Sequence, residues 1–266
     1  MADWHWQTWQ GEEFLTCDLL GDWSHGFFTR QFWPQAPETL TAALAVDAAV
    51  QRVKQVHGNR VLTPADLPNP ATTESASPRA EADGLLSDRP RQALWVCSAD
   101  CSPVLIGDRA TGQVAAVHAG WRGTAQAIVP VAVGRLQAQG SRPEDLVVAI
   151  GPAIAGAVYQ VSVDVAAAVG RTLVPETGAE AADEAVVAEL LTRHESPLLA
   201  DSAPGKVRLD VRQANALQLE HLGLGKAQVA IAPHCTFQDP NRFFSYRRTG
   251  EKQVQWSGIV SRDIGD

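Results

Sequence analysis

Three short apolar runs decide the fold of this chain: ALWVC at residues 93–97, PVLIGD at 103–108 and QVAAVH at 113–118. Each run has the length of a strand, and polar or glycine-containing residues separate them, with Thr111-Gly112 before the third. We therefore predict three consecutive β-strands with a turn at the Thr-Gly pair.

Upstream of these runs, the aromatic segment at 23–30 predicts a strand, and the alanine-rich stretch at 40–53 has the apolar spacing of a helix. Gly58 and Asn59 then predict a turn between two short strands within 54–61, which places His57 at a strand end. Residues 64–82 are rich in Pro, Ala, Thr, Ser and Glu, which indicates a surface loop without chemistry.

Downstream, strands alternate with capped helices. Thr124 is predicted to cap a helix that ends near Gly140, Ser162 to cap one over 163–169, and Asp210 to cap one over 211–222 that Gly223 ends. Further expected elements are a strand at 146–150, helix plus loop within 175–206, and a strand at 227–232. This mixture favours a mixed-sheet α+β or layered α/β domain over a pure Rossmann order.

Composition narrows the class of protein. The chain has 266 residues, of which 45% are hydrophobic and 20% charged, enough for a substantial core. A net charge of −8 argues against nucleic-acid or anionic-membrane partners. The N-terminus does not resemble a signal peptide and no apolar run is long enough to span a bilayer, so a cytoplasmic location is expected, with the four cysteines reduced.

Three residues at predicted strand ends, His57, Cys101 and His118, form a candidate metal site. Imidazole nitrogen and thiolate sulfur suit a borderline-soft ion such as zinc or copper, and three protein ligands are typical of a catalytic site that leaves one position for water. A single His or Cys in an apolar setting is more often a packed core residue, and spacing alone does not decide between these interpretations.

The same atoms also fit nucleophilic catalysis, in which a histidine activates Cys101 and a carboxylate such as Asp100 or Asp83 orients the histidine. Either aspartate could instead orient a histidine ligand or accept a proton, although aspartates at strand ends more often cap turns. Both uses stay open at this point.

Local positive charge in an acidic chain indicates where an anion would bind. Arg122 lies in a Gly-Trp-Arg-Gly turn that is expected to open a helix, a candidate anion site whose simpler role is a surface salt bridge. Tyr246, Arg247 and Arg248 are secondary candidates for stacking on a base and holding phosphate, unless they only cover a hydrophobic edge. Trp121 and Phe244 are expected as pocket wall or core.

Several common motifs are absent from the sequence. It contains no Walker glycine loop, no GxGxxG opening a βαβ unit and no Gly-x-Ser-x-Gly elbow. Nucleoside triphosphate, dinucleotide and serine-hydrolase functions therefore lose support.

Ordered motifs along the chain resemble one known family. They are QVHG at 55–58, EADG at 81–84, SADCSPV at 98–104, VHAGWRG at 117–123, AIGP at 149–152, CT at 235–236 and FFSYRR at 243–248. In this order they are similar to the laccase-domain, YfiH-like proteins, and the likeness covers most of the chain from about His25 onward. It implies one domain over 1–266 with a layered α/β/β/α arrangement of mixed sheets.

The resemblance also implies a function. Members are described as polyphenol oxidases, as purine nucleoside phosphorylases with adenosine deaminase activity that also accept methylthioadenosine, and in some cases as peptidoglycan-editing proteins. His57, Cys101 and His118 match the metal positions of the family, with zinc, or copper, as the expected ion. We add Arg122 as the phosphate-binding residue, and we take Cys101, Arg122 and Asp83 as the catalytic candidates.

We favour a zinc-dependent purine nucleoside phosphorylase with adenosine deaminase activity, which acts with phosphate on adenosine, inosine, guanosine and methylthioadenosine. Multicopper oxidation needs many more histidines than the 7 in this chain. The alternatives are a cysteine hydrolase or polyphenol oxidase acting on a cell-wall precursor or phenol, and a metal-binding partner protein without enzymatic activity. One departure from the family is that Gln31-Phe32-Trp33-Pro34 follows Thr29-Arg30 where members usually have Gly-Gly-Val-Ser. The family pattern therefore does not predict the wall of the pocket on the substrate side.

Overall fold

The structure is a computed structural model that describes residues 2–67, 79–174 and 181–263. The expected surface loop at 64–82 lies mostly outside these ranges, as do residues 175–180 of the stretch for which helix plus loop is expected. The start of that loop, Pro64–Asp66, is a single 3-10 turn closed by a capping box between Thr63 and Asp66.

The first sheet has six strands in the order β1-β2-β3-β15-β7-β4. All neighbours are antiparallel except β4 and β7, which are parallel. The strands are β1 (Trp4–Trp9), β2 (Glu12–Cys17), β3 (His25–Phe28), β4 (Ala49–Arg52), β7 (Gln92–Ser98) and β15 (Gln255–Val260).

The second sheet also has six strands, in the order β14-β10-β8-β9-β6-β5. The two edge pairs, β14 with β10 and β5 with β6, are parallel, and the inner pairs are antiparallel. The strands are β5 (Val61–Leu62), β6 (Gly84–Leu86), β8 (Ser102–Asp108), β9 (Val114–Ala119), β10 (Leu146–Ile150) and β14 (Val229–Ile231).

A small antiparallel sheet and seven helices complete the described structure. The sheet has the order β11-β13-β12, with β11 (Gln160–Ser162), β12 (Leu198–Ala200) and β13 (Lys206–Leu209). The helices are α1 (Pro37–Leu40), α2 (Trp121–Ala125), α3 (Ile128–Ala138), α4 (Val163–Gly170), α5 (Asp183–Thr192), α6 (Val211–His221) and α7 (Tyr246–Thr249).

Alternating side chains of the two large sheets build the layers. Leu94 and Leu105 lie in the core between the sheets, whereas Val104 and Ile106 point to the other face of the second sheet and pack against Val133 of α3. The outer face of the first sheet is covered by α1 and the short turns that flank it. The order is therefore α/β/β/α with mixed sheets, as the family resemblance implies.

The three apolar runs at 93–97, 103–108 and 113–118 are strands, as predicted, and the turn before the third contains Gly112 in the left-handed region at φ +71°. They do not form one meander. Only β8 and β9 pair as a hairpin, whereas β7 lies in the other sheet between β15 and β4. The turn at Asp100-Cys101 thus carries the chain from one layer to the next.

The helix expected over 40–53 is wrong. Helical turns occupy only Pro37–Leu40 and Thr41–Ala43, and Ala49–Arg52 is a strand. That strand pairs in parallel with β7, from Ala49 opposite Gln92 to Arg52 opposite Trp95. The hydrogen bonds of a sheet edge outweigh the weak helix propensity of a short alanine-rich stretch.

Thr124 does not cap a helix, contrary to prediction. The chain is already helical at Trp121, Thr124 is buried within α2, and a break at Ala127, with φ +56°, separates α2 from α3. The predicted glycine end of this unit is confirmed, since Gly140 has φ +104°.

The other helix boundaries follow the sequence signals. Asp210 accepts hydrogen bonds from the amides of Arg212 and Gln213 at the start of α6, and Gly223 just beyond its end has φ +89°. Ser162 directly precedes α4. In the described part of the chain no helix is long and apolar enough to cross a membrane.

Candidate metal centre

His57, Cys101 and His118 come together in the structure. The nitrogen and sulfur atoms that they offer all lie within 4.8 Å of one another. His57 lies in the turn between β4 and β5, Cys101 in the crossing from β7 to β8, and His118 near the end of β9. The cluster runs from an exposed His57 through a half-buried Cys101 to a buried His118, so it is open to solvent on one side.

The carboxylate of Asp83 organises both histidines. Its Oδ1 atom lies 2.9 Å from His118 Nδ1 and accepts the amide of His57 at 2.9 Å, while Oδ2 accepts the amides of Val56 and Gly58 at 3.1 and 2.7 Å. These bonds hold His57 in the left-handed region, at φ +62°. With Nδ1 committed to Asp83, the Nε2 atom of His118 is the one left to bind a ligand.

Asp83 itself is fully buried. Burial raises the pKa of its carboxyl, but the hydrogen bond from His118 and the amides of Gly58 and His57 more than offset this and leave the pKa below its usual value. A buried carboxylate behind the histidine positions ligands and does not face the reacting space. Its suggested part as a proton acceptor stays a prediction.

Cys101 and His118 form a charge pair. Burial raises the pKa of the Cys101 thiol, but His118 and then His57 lower it to about 6. Burial lowers the pKa of His118, but Cys101 and Asp83 raise it to about 9. The thiolate form that a metal ion or an electrophile requires is thus favoured near neutral pH.

Gly120 makes room for this cluster. A Cβ atom at this position would lie 2.7 Å from Cys101 Sγ and 3.3 Å from His57 Cδ2, both closer than ordinary contact. The turn after β9 can therefore approach the two ligands only because residue 120 has no side chain.

Asp100 does not reach either histidine and instead anchors the C-terminal segment. Its Oδ1 atom accepts the Thr236 hydroxyl at 2.7 Å, and its Oδ2 atom accepts the Ser245 hydroxyl at 3.0 Å and the Arg247 amide at 2.7 Å. It does so with φ +88°, a conformation rare for residues with a Cβ. The predicted role of Asp100 in orienting a histidine is therefore wrong.

Arg122 is exposed and its guanidinium lies 4.3 Å from the centre of the Trp121 ring. Among the described residues it forms no ion pair with a carboxylate, so the salt bridge considered as its simpler role is not present. The helix that it sits in has only five residues, so the predicted contribution of a helix N-terminus is small and any anion binding would depend on the guanidinium itself.

Tyr246, Arg247 and Arg248 of the aromatic and basic segment have different surroundings in the structure. Arg248 points inward and donates to the carbonyls of Thr236, Phe237 and Phe243, which is a structural role. Tyr246 is exposed, and the Arg247 guanidinium lies 4.6 Å from the centre of the Tyr159 ring.

Tyr159 is missing from the residues singled out in the sequence. It follows a 3-10 turn at Gly156–Val158 and lies just before β11. No motif that we recognised contains it. Its one signal is that Tyr is rare in this chain, which has only 2 tyrosines.

The segment that departs from the family packs on the C-terminal aromatic residues. Trp33 is 45% exposed and meets Phe244 edge-on with ring centres 5.9 Å apart, and Arg30 lies over the same ring at 4.6 Å. Phe244 is buried and Trp121 half-buried. Trp33 thus adds a half-exposed indole next to the segment that Asp100 anchors.

The donor set fits a metal ion. Two imidazoles and a thiolate with a lowered pKa converge, the tautomer of His118 is fixed by Asp83, and one side of the cluster is open. Within residues 2–67, 79–174 and 181–263, this is the only group of three such side chains close enough to hold an ion. A cavity of about 680 Å³ lies elsewhere, beside α6, and contains none of these three residues.

The fold and this cluster agree with the comparisons with known proteins. Residues 35–262 match the family model described as multi-copper polyphenol oxidoreductase laccase, and the chain belongs to this family.

Relatives within it are named for a different activity. The chain is 51% identical over 259 residues to a protein of Synechocystis named purine nucleoside phosphorylase, covering 97% of both chains. It is 34% identical over 199 residues to the purine nucleoside phosphorylase YlmD of Geobacillus stearothermophilus, covering 73% of this chain and 65% of the relative. The crystal structure of YlmD from that organism superposes with a TM-score of 0.77 at 26% identity, covering 97% of this chain and 99% of the other.

Proposed function

We propose that the protein is a zinc-dependent purine nucleoside phosphorylase with adenosine deaminase activity. Its substrates would be adenosine, inosine, guanosine and methylthioadenosine, each converted with inorganic phosphate to the free base and the ribose 1-phosphate. The convergence of His57, Cys101 and His118 within 4.8 Å carries the proposal. The name shared by the relatives in Synechocystis and Geobacillus supports the substrate class.

In phosphorolysis the bond between the ribose C1′ atom and the base nitrogen breaks, and a bond from C1′ to a phosphate oxygen forms. The proton that the base needs comes from solvent or from phosphate. A zinc ion at the cluster would act as a Lewis acid. Asp83 keeps the two histidines in place, and Arg122 attracts the phosphate dianion to the same side of the molecule in a protein of net charge −8.

Deamination of adenosine needs water in place of phosphate and releases ammonia, with inosine as the product. One site can serve both reactions because each begins with attack by an oxygen nucleophile on a purine nucleoside. In both reactions the residues of this chain would bind the nucleoside and hold it in the orientation that the reaction requires.

The proposal is tested by metal analysis combined with product analysis. Purified protein is expected to hold about one zinc per chain, as three protein ligands require. Adenosine is expected to give adenine and ribose 1-phosphate only when phosphate is present, and inosine without it. A Cys101→Ser variant should lose zinc and both activities, and a Cys17→Ser variant, at a buried cysteine outside the cluster, serves as its control.

A cysteine hydrolase is the second candidate because one observation favours it: Asp83 hydrogen-bonds His118 at 2.9 Å, and the charge of His118 lowers the pKa of the Cys101 thiol. The metal proposal accounts in addition for His57, which the hydrolase does not use. A covalent acyl adduct on Cys101 that forms in chelated protein would favour the hydrolase. A polyphenol oxidase would need oxygen-dependent oxidation of a phenol by the purified protein.

A further inference from the structure

Arg247 is held in place beside the metal cluster at its backbone and its side chain. Its amide donates to the carboxylate of Asp100, the residue before Cys101, at 2.7 Å. Its Nη1 atom donates to the Gln160 carbonyl at 2.9 Å, and its guanidinium lies over the Tyr159 ring. These contacts leave the Nε and Nη2 donors of an exposed side chain without a partner among the described residues.

Tyr159 connects the two arginines. Its ring lies under the Arg247 guanidinium and packs against the same hydrophobic cluster as Trp121, whose ring lies 4.3 Å from the Arg122 guanidinium. Burial raises the pKa of the Tyr159 hydroxyl to about 12 although the positive charges of Arg247 and Arg122 oppose this rise. At neutral pH it remains a neutral hydrogen-bond donor.

The two arginines differ from their neighbours in lacking counter-ions. Within the parts of the chain that the structure describes, neither Arg122 nor Arg247 forms a salt bridge, whereas Arg212 pairs with Asp210 and Arg208 with Asp201. The adjacent Arg248 instead donates to three carbonyl oxygens through its Nη1 and Nη2 atoms. In an acidic protein, two unpaired guanidinium groups next to a phenol O–H form a donor set that suits a tetrahedral oxyanion.

We infer that Tyr159, Arg122 and Arg247 together bind inorganic phosphate next to the metal cluster. This deepens the proposed function, on which it rests for the role of phosphate as the second substrate. Arg122 and Arg247 supply the charge, and Tyr159 supplies a neutral hydrogen bond and the ring that holds Arg247. Arsenate has the same shape and charge and would occupy the same site.

The experiment is titration of the purified protein with inorganic phosphate by calorimetry, with Arg247→Gln, Arg122→Gln and Tyr159→Phe variants. Loss of one charge-assisted contact is expected to weaken phosphate binding about tenfold to a hundredfold in either arginine variant. Tyr159→Phe keeps the ring, so it should weaken binding by less, about tenfold at most. Arg242→Gln is the matched control, because Arg242 also lies over an aromatic ring, Trp6, at 4.6 Å.

Steady-state kinetics separate this site from a merely structural role. The KM for phosphate should rise in the Arg247→Gln variant by a larger factor than the KM for the nucleoside, whereas a merely structural role would change both alike. Arg122→Gln removes no hydrogen bond of its side chain within the described structure, so it tests the site even if the Arg247 variant folds poorly.

Two results would overturn the inference: a wild-type protein that binds no phosphate, or arginine variants that bind it as the wild type does. If the wild type binds phosphate and the variants do not, yet no nucleoside is cleaved, the anion site stands and the phosphorylase proposal fails. If nucleosides are cleaved and the variants keep the wild-type KM for phosphate, the phosphorylase stands and the anion site fails.

Discussion

The Oδ1 atom of Asp83 lies 2.9 Å from Nδ1 of His118, and the same carboxylate accepts the amides of the turn that carries His57. A single buried charge therefore sets the tautomer of one candidate ligand and the backbone of another. His57 lies in the turn before β5, and His118 lies in β9. Asp83 therefore links two separate segments of the second sheet and fixes the geometry of the site.

Replacing Asp83 with Asn should reduce metal affinity without removing any ligand. The amide NH₂ group cannot accept from both histidine segments, so we expect zinc affinity to fall by about 10–100-fold. The free energy of unfolding should fall by about 3–5 kcal/mol, because His118 loses its buried partner. Competition with a zinc-binding dye measures the first effect and urea denaturation the second.

The control for this variant is Asp201→Asn. Asp201 also accepts a backbone amide and pairs with an arginine, Arg208, but it lies directly after β12 of the small third sheet. Its zinc affinity should equal that of the wild type. Equal zinc affinity in the Asp83→Asn variant would show that the carboxylate does not organise the site.

Gly120→Ala tests the close approach of the turn after β9. The new Cβ would meet Cys101 Sγ at 2.7 Å, so the ligands must move apart, and we expect at least about a tenfold loss of zinc affinity. Gly134→Ala is the matched control, because a Cβ there meets nothing within 4 Å in the middle of α3. That variant should keep its zinc affinity and gain about 0.5–1 kcal/mol of stability.

The thiol of Cys101 should be the reactive cysteine of metal-free protein. With its pKa lowered to about 6 by His118, it is a thiolate above that pH and is protonated below it. Alkylation by iodoacetamide at pH 7, followed by mass spectrometry, should therefore label Cys101 before Cys97, whose pKa is raised by burial to about 11. Bound zinc should block the labelling, and unchanged labelling in zinc-loaded protein would argue against Cys101 as a ligand.

At position 100, a glycine variant should be more stable than an alanine variant, which is the reverse of the usual order for these two residues. Both Asp100→Ala and Asp100→Gly lose the hydrogen bonds to Thr236, Ser245 and Arg247, with an expected cost of about 3 kcal/mol or more. Only glycine adopts φ +88° without strain, so the glycine variant should be the more stable of the two by about 1 kcal/mol. Urea denaturation of chelated proteins measures this difference, and an alanine variant at least as stable as the glycine variant would contradict it.

The elements that the sequence predicted well are those whose signals are local. Asp210 caps α6 because an aspartate in that position accepts amides of the first turn, and Gly140 and Gly223 end helices because they adopt positive φ. The buried strands around residues 93–118 are continuous apolar runs that can be recognised without knowing their pairing partners.

The predictions from sequence failed where a residue or strand far along the chain determines the local structure. The stretch at 40–53 has helical composition, but β7 provides the edge on which Ala49–Arg52 pairs as a strand. Asp100 stands next to Cys101 in sequence, yet its carboxylate faces Thr236 and Ser245 from the far end of the chain. Tyr159 lies under the guanidinium of Arg247, which is far along the chain, and no local pattern records this contact.

The candidate site shows the same division. Motifs resembling a known family pointed to His57, Cys101, His118 and Arg122, and the structure brings the first three within 4.8 Å of one another. Which aspartate supports them could not be decided from spacing, because Asp83 and Asp100 both lie at predicted strand ends. Only the hydrogen bonds separate the positioning role of Asp83 from the anchoring role of Asp100.

The zinc-dependent phosphorylase is tested most directly by the formation of ribose 1-phosphate from adenosine and inorganic phosphate, measured with protein that has been chelated and then reloaded with zinc. We expect no product from the chelated protein, recovery on addition of zinc, and no recovery in the Cys101→Ser variant. Undiminished product formation by metal-free protein, or none by zinc-loaded protein, would contradict the proposed function.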